Sequence, residues 1–168
     1  MHRPILYSML SLHLALLLFI SPVHAKSIDR VVAYVNDKAI TERELNKVHA
    51  TAIASKEAQS KHESLDLLIN RIILIAEARK LRLAGKNNDQ LIEQYINIKV
   101  KAFVSIREDD VLRYYNENRK HYADTTYEEV KLQIRKLIED ETIRSRLKHH
   151  LRLIRKRANI QIMINRTD

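Results

Sequence analysis

Leu65–Ala84 reads LDLLINRIILIAEARKLRLA, and this stretch decides the fold. Leu65, Leu68, Ile69, Ile72, Ile73 and Ala76 recur in steps of three and four, and Leu67, Leu74 and Leu81 recur in steps of seven. Both spacings are helical. Two apolar stripes leave a narrow wet face, with Asn70, Glu77 and Lys80. A helix so apolar sits between other elements rather than on a surface. Twenty residues reach roughly 30 Å, the width of a small domain. Five charges from Arg71 to Arg82 make it a poor membrane span. It is expected to be the central helix of the core.

The flanks supply start and stop signals. Ser60 with Glu63 forms a capping box at its entry. Gly85, the only glycine of the chain, is expected to end it in a left-handed conformation. Upstream, Val31–Val35 alternates as a strand, Asn36-Asp37 marks a turn, and Ala39-Ile40 returns beside it. Thr41 with Glu44 caps the next helix, with Ile40 and Leu45 as its hydrophobic staple, fading near Ala58. Downstream, Asn87 with Gln90 opens a helix running to Val104, with Leu91, Tyr95, Ile98 and Ala102 on one face. Ser105 with Glu108 opens another through Tyr122, carrying Val111, Tyr114, Tyr115 and Tyr122 on one side. Thr126 with Glu129, or Thr125 with Glu128, caps the longest helix, which runs to about Ala158. Its apolar stripes, Tyr127–Ile138 and Leu147–Ala158, are separated by the polar run Glu139–Arg146, where Ile143 stands alone.

Asn159–Asn165 alternates strictly, with Ile160, Ile162 and Ile164 pointing one way. A period-two strand at each end of a helical chain has one economical partner, the other. The expected fold class is mostly α: about five helices around the central apolar helix, closed by a small sheet that pairs the N- and C-terminal strands.

Residues 1–25 read differently. Arg3, the apolar run Met9–Ile20 and the ending Val23-His24-Ala25 match a secretory signal peptide cut after Ala25, with a retained membrane anchor as the other reading. The remaining 26–168 form one expected domain. Of 30 Lys+Arg and 21 Asp+Glu, only Arg3 falls in the leader, so 29 cations and a net charge of +8 stay with the domain. It has no cysteine, so thiol and disulfide chemistry are excluded and the core alone must hold it. A basic balance fits acidic protein, an anionic membrane surface or nucleic acid. Export removes nucleic acid from the expected partners.

No catalytic constellation stands out. His149 and His150 are adjacent on a helix, point about 100° apart and do not easily share a metal. Asp109-Asp110 and Glu128-Glu129 sit at helix starts, where carboxylates complement the dipole. A phosphate-binding glycine loop is missing. Neither a metal nor a cofactor is expected. Asn165-Arg166-Thr167 matches the short glycosylation pattern. Arg144–Arg157, with seven Lys/Arg and two His, suits an anionic surface or the wet face of an amphipathic helix.

The order of these segments resembles the SurA N-terminal domain family of periplasmic chaperones. The resemblance rests on IDRVVAYVNDKAITERELNK at Ile28–Lys47, LDLLINRIILIAEARKLRL at Leu65–Leu83, VLRYYNENRKHY at Val111–Tyr122 and IRKRANIQIMI at Ile154–Ile164. It covers nearly the whole of 26–168. It implies a periplasmic, ATP-independent chaperone that holds unfolded outer-membrane or secreted proteins. Many members carry a parvulin prolyl-isomerase domain after the segment similar to Tyr115–Tyr122. Here only Ala123–Thr126 precedes the last long helix, so the resemblance implies the chaperone part without the enzyme. A second departure is that Met163 is the only methionine outside the leader, whereas adaptable client surfaces often use methionine.

The expected client-binding face is the tyrosine side Tyr114, Tyr115 and Tyr122 with the partly exposed Ile143, flanked by Arg144 and Arg146 as guides for acidic segments. Two other classes stay open: an accessory subunit related to prolyl isomerases, and an envelope structural or interaction module with one dedicated partner. The sequence leaves oligomeric state and client identity open.

Overall fold

The computed structural model describes residues 29–56 and 59–164. The leader reading and the Asn165 acceptor lie outside them.

β1 (Val31–Val35) and β2 (Lys38–Thr41) form an antiparallel hairpin, and β3 (Ile160–Ile162) pairs antiparallel with the other edge of β1. The sheet order is β2-β1-β3, so the two ends of the described chain meet in one sheet as expected. Asn36, the first turn residue, takes φ 55°, which asparagine tolerates better than most residues. Its N–H donates to the Asn159 carbonyl at 2.7 Å and its Oδ1 accepts from the Asn159 N–H at 3.0 Å. One residue thus makes the hairpin turn and anchors the entry to β3.

The strands depart from strict alternation at two places. The register of β1 against β2 shifts between Val31 and Ala33, so Val32 is a bulge and is fully buried beside Ala33 and Val35. On β3, Ile160 and Ile164 pack against the core while Ile162 is 44% exposed. Ile162 sits opposite Ala33, a side chain too short to cover it.

Five α-helices follow among the described residues: α1 (Glu42–Ala54), α2 (Lys61–Lys80), α3 (Asn88–Lys99), α4 (Glu108–Glu117) and α5 (Tyr127–Arg155). The boxes at Thr41/Glu44 and Ser60/Glu63 are closed in both directions. At α5 it is Glu129 that accepts from the Thr126 N–H, at 2.7 Å. α4 starts two residues later than the Ser105/Glu108 spacing suggests. Its N-cap is Arg107, whose N–H donates to Asp110 at 3.3 Å. The helix expected through Val104 breaks after Lys99, at the buried Val100, and continues as a 3-10 turn, Lys101–Phe103. Likewise α4 gives way to a 3-10 turn over Arg119–Tyr122.

Two hydrophobic clusters result. The larger gathers Val32, Val35, Ile40, Leu45, Leu65, Ile69, Ile73 and Tyr95, with Ile154 from the end of α5. α2 runs through it, against α1, α3, β1 and α5. Its first stripe is the buried one. Of the second, only Leu74 is buried, while Leu67 is 53% and Leu81 42% exposed. Steps of seven drift by only about 20° on a straight helix, so the ends of that stripe are left bare by the reach of the neighbouring elements rather than by rotation, and Leu81 is already the C-cap. The smaller cluster is Val111, Tyr115, Val130 and Ile134, between α4 and the first half of α5. α5 joins the two clusters.

Gly85 is not the left-handed residue that ends α2. That conformation falls on Arg82, φ 55°. The Leu83 N–H donates to the Ala78 carbonyl at 3.2 Å and the Arg82 N–H to Arg79 at 2.9 Å, the paired bonds of a Schellman ending. Gly85 is needed for space instead. A Cβ there would lie 3.2 Å from Gln90 Cβ and from the Leu91 nitrogen, at the start of α3. Arg82→Gly is therefore expected to stabilise the fold by up to about 1 kcal/mol, since a side chain in the left-handed region carries a penalty that glycine lacks. A rise in the urea midpoint checks this.

Candidate functional site

The middle of α5 is the part of the fold with the least cover. Val130 and Ile134 are buried in the smaller cluster and Ile154 in the larger; between them no residue of α5 is buried. Ile138 packs against the smaller cluster and Leu151 against the larger. Glu139, Asp140 and Glu141 are exposed, as are Arg144, Ser145 and Arg146. Ile143 is half-buried. The polar run therefore bridges two packed ends.

A cleft of ≈ 690 Å³ opens along this bridge. One wall is the end of α3, with Lys99 and Val100. The other is α5, with Ile138, Thr142, Arg146 and Arg152 among its lining residues. His150 is at its inner side, where its Nε2 lies 2.8 Å from the Tyr95 hydroxyl. Tyr95 is 2% exposed, so this contact ties α5 to the core through α3. Burial pushes the His150 pKa below its ordinary value and raises that of Tyr95. The Glu77 carboxylate works against the first shift, and Lys99, Arg157 and His149 add to it. Beside it, the Arg152 guanidinium reaches His149 Nδ1 at 3.3 Å. A guanidinium only donates, so Nδ1 accepts and Nε2 holds the ring proton.

On the opposite flank of α5 a second hollow of ≈ 450 Å³ is lined by Asp66, Asn70, Arg144, Leu147, Lys148 and Arg155, among others. Here one cation, Arg155, is matched, while Arg144 and Lys148 hold no ion pair among the described residues. Arg155 donates to Asp66 at 2.8 Å and to Asn70 at 2.7 Å. This pair docks α5 on α2. Among the described residues no set of three or more His, Asp or Glu gathers as metal ligands, and no helix is long and apolar enough to cross a membrane.

The residues expected at a client face are not all brought together. Tyr115 is 6% exposed, and its hydroxyl donates to the Thr125 carbonyl at 2.9 Å. Its ring lies 5.5 Å from that of Tyr127 and 5.8 Å from that of Tyr122, with the Arg119 guanidinium 4.7 Å from its centre. Tyr115 is thus core rather than an exposed platform, because α5 folds back over that side of α4. Tyr114 and Tyr122 are half-buried at the edge of the same cluster. Burial, then the neighbouring Tyr122 and the Glu141 charge, raise the pKa of Tyr114. Arg146 lines the first cleft and Arg144 the second hollow, since two residues differ by about 200° on a helix. Ile143 lines neither. Sequence reasoning missed Lys99 and Val100 as parts of the cleft, and Tyr95 as the buried partner of His150 behind it. Its signal was limited to the two histidines within the basic run.

His150 gives a pH expectation with a defined sign. Its pKa in the fold lies below the ordinary 6.5, so the unfolded chain takes up the proton first as pH falls. Stability contributed by the neutral ring is complete above about 6.5 and declines below it. The carboxylates with lowered values, Glu63, Glu108, Asp110 and Glu129, act in the same direction at lower pH, stabilising above their ordinary range and losing that effect only in stronger acid. Between pH 7.5 and pH 5.5 the urea midpoint should fall, and fall less in His150→Gln. Equal slopes would remove His150 as the cause.

No protein-family model matches this chain, and no curated protein matches it either.

Proposed function

We propose that the protein is an ATP-independent chaperone of the cell envelope that holds unfolded polypeptides, of the kind the SurA-like segments imply. The observation that supports this reading best is the bare middle of α5 beside an open cleft of ≈ 690 Å³. Unfolded chains expose apolar segments and unpaired strand edges that aggregate. A holder needs apolar surface that is reachable in its free state, yet not so large that it self-associates. Ile138 in the cleft, the half-buried Ile143 and the Tyr114/Tyr122 edge provide such surface in small pieces. Each piece contributes little, which suits reversible holding. Exported, the chain would work in the periplasm, with unfolded outer-membrane or secreted proteins as partners and no nucleotide or metal in the cycle.

The direct test is light scattering of an unfolded β-barrel membrane protein diluted from urea. Equimolar protein is expected to suppress aggregation, and Ile143→Ser to weaken suppression while the urea midpoint stays within about 0.5 kcal/mol of the parent. Unchanged aggregation in molar excess of the protein would remove the reading. Capture of a single folded envelope protein would favour a module with one dedicated partner.

A further inference from the structure

The cleft between α3 and α5 is electrically unbalanced. Lys99, Arg146 and Arg152 line it with His149 and His150, against the single carboxylate of Glu141. Within the described residues none of those three cations holds an ion pair. On the other flank Arg155 is matched by Asp66, though Arg144 and Lys148 are not. Arg146 and Arg152 stand six residues apart on α5, and Lys99 lines the same cleft from α3, so three cations share one concavity. An anionic occupant would offset that excess of positive charge.

We propose that this cleft is a binding site for a carboxylate-bearing segment of an extended polypeptide, which rests on the chaperone reading and adds a charge preference to it. Three features favour a polypeptide. The site is concave and has cations on both walls, so an extended chain laid between α3 and α5 meets charge on either side. Ile138 gives it apolar lining for a neighbouring side chain, over the buried Val100. A flat lipid surface reaches a concavity poorly, and membrane-lying helices insert an apolar face. In this half of α5 Leu151 and Ile154 face the core, and Leu153 is the one exposed large apolar side chain, too little for an inserting face. The chemistry selected is therefore Asp or Glu adjacent to an apolar residue. Arg152 and Arg146 pair with the carboxylates as charge-assisted donors, and the field of the cleft speeds encounter.

The test uses the protein without residues 1–25 and fluorescein-labelled decapeptides that alternate Leu or Phe with Glu, or with Lys in place of Glu. Anisotropy is expected to show the acidic peptide binding at least tenfold tighter than the basic one, since one charge-assisted contact is worth about that factor. Raising salt should weaken it. Arg146→Ser with Arg152→Ser should lose about tenfold for each contact removed, and circular dichroism should confirm the fold. Because both arginines are exposed, the double variant is expected to fold; Lys99→Ser provides an independent second reading from the other wall. Equal binding of both peptides, or acidic-peptide binding unchanged in both variants, overturns the site. Sedimentation with phosphatidylglycerol vesicles in place of peptide binding overturns it in favour of a lipid surface. Acidic-peptide binding lost in the variants, together with no suppression of β-barrel aggregation, supports the site and sinks the chaperone reading instead.

Discussion

Ile69→Ala lowers the free energy of unfolding by about 2–5 kcal/mol, the range for truncating a large aliphatic residue in a packed core. Ile69 has no exposed surface and lies in the larger cluster with Leu65, Ile73, Val32 and Val35. The lost methyl and methylene groups forfeit their transfer free energy. The cavity left adds to the loss, because α1, α3 and the sheet hold the walls apart. Leu67→Ala is the internal control, two residues away on the same helix. Leu67 is 53% exposed, so its truncation should stay near 0.5 kcal/mol. Urea unfolding of both variants measures the contrast. If they cost the same, α2 is not the centre of the fold.

Tyr115→Ala is expected to cost about 3–5 kcal/mol, in line with removal of a buried aromatic ring. The ring is packed by Tyr122 and Tyr127, and its hydroxyl satisfies the Thr125 carbonyl. Tyr115→Phe keeps the ring and leaves that carbonyl without its donor, costing about 0.5–1.5 kcal/mol. The loss should be local. α4 and the first half of α5 make the smaller cluster, separate from the one around α2. At its border Glu108, itself exposed, pairs with Arg135 and accepts from the Tyr127 hydroxyl. Removing Tyr115 should therefore open this unit first. Amide exchange is expected to accelerate over Glu108–Glu117 and the first three turns of α5, while α2 amides keep their protection. Uniform acceleration throughout the chain would mean that the clusters unfold as one.

This second case also shows where sequence reasoning stops. The spacing of Val111, Tyr114, Tyr115 and Tyr122 establishes a shared side of α4. It does not say whether another element covers that side. Tyrosine suits both a wet platform and a core edge. Only the path of α5, reversing after Thr126 and returning across α4, buries Tyr115 and leaves Tyr114 and Tyr122 half-covered.

What the sequence determined by itself was local. The capping boxes at Thr41, Ser60 and Thr126 locate three helix starts, because a side-chain oxygen and a glutamate three residues on satisfy groups within one turn. The first stripe of Leu65–Ala84 names the central helix, and period two at both ends names the strands that pair. Tertiary structure decided what depends on partners distant in the chain. It set Val32 as a bulge, left Leu67 and Leu81 bare, and moved the left-handed stop from Gly85 to Arg82. Gly85 was drawn instead into the close approach of α3. It also assembled the cleft, since Lys99 and Arg146 are 47 positions apart in the chain, and no periodicity relates side chains that meet only because two helices cross one core.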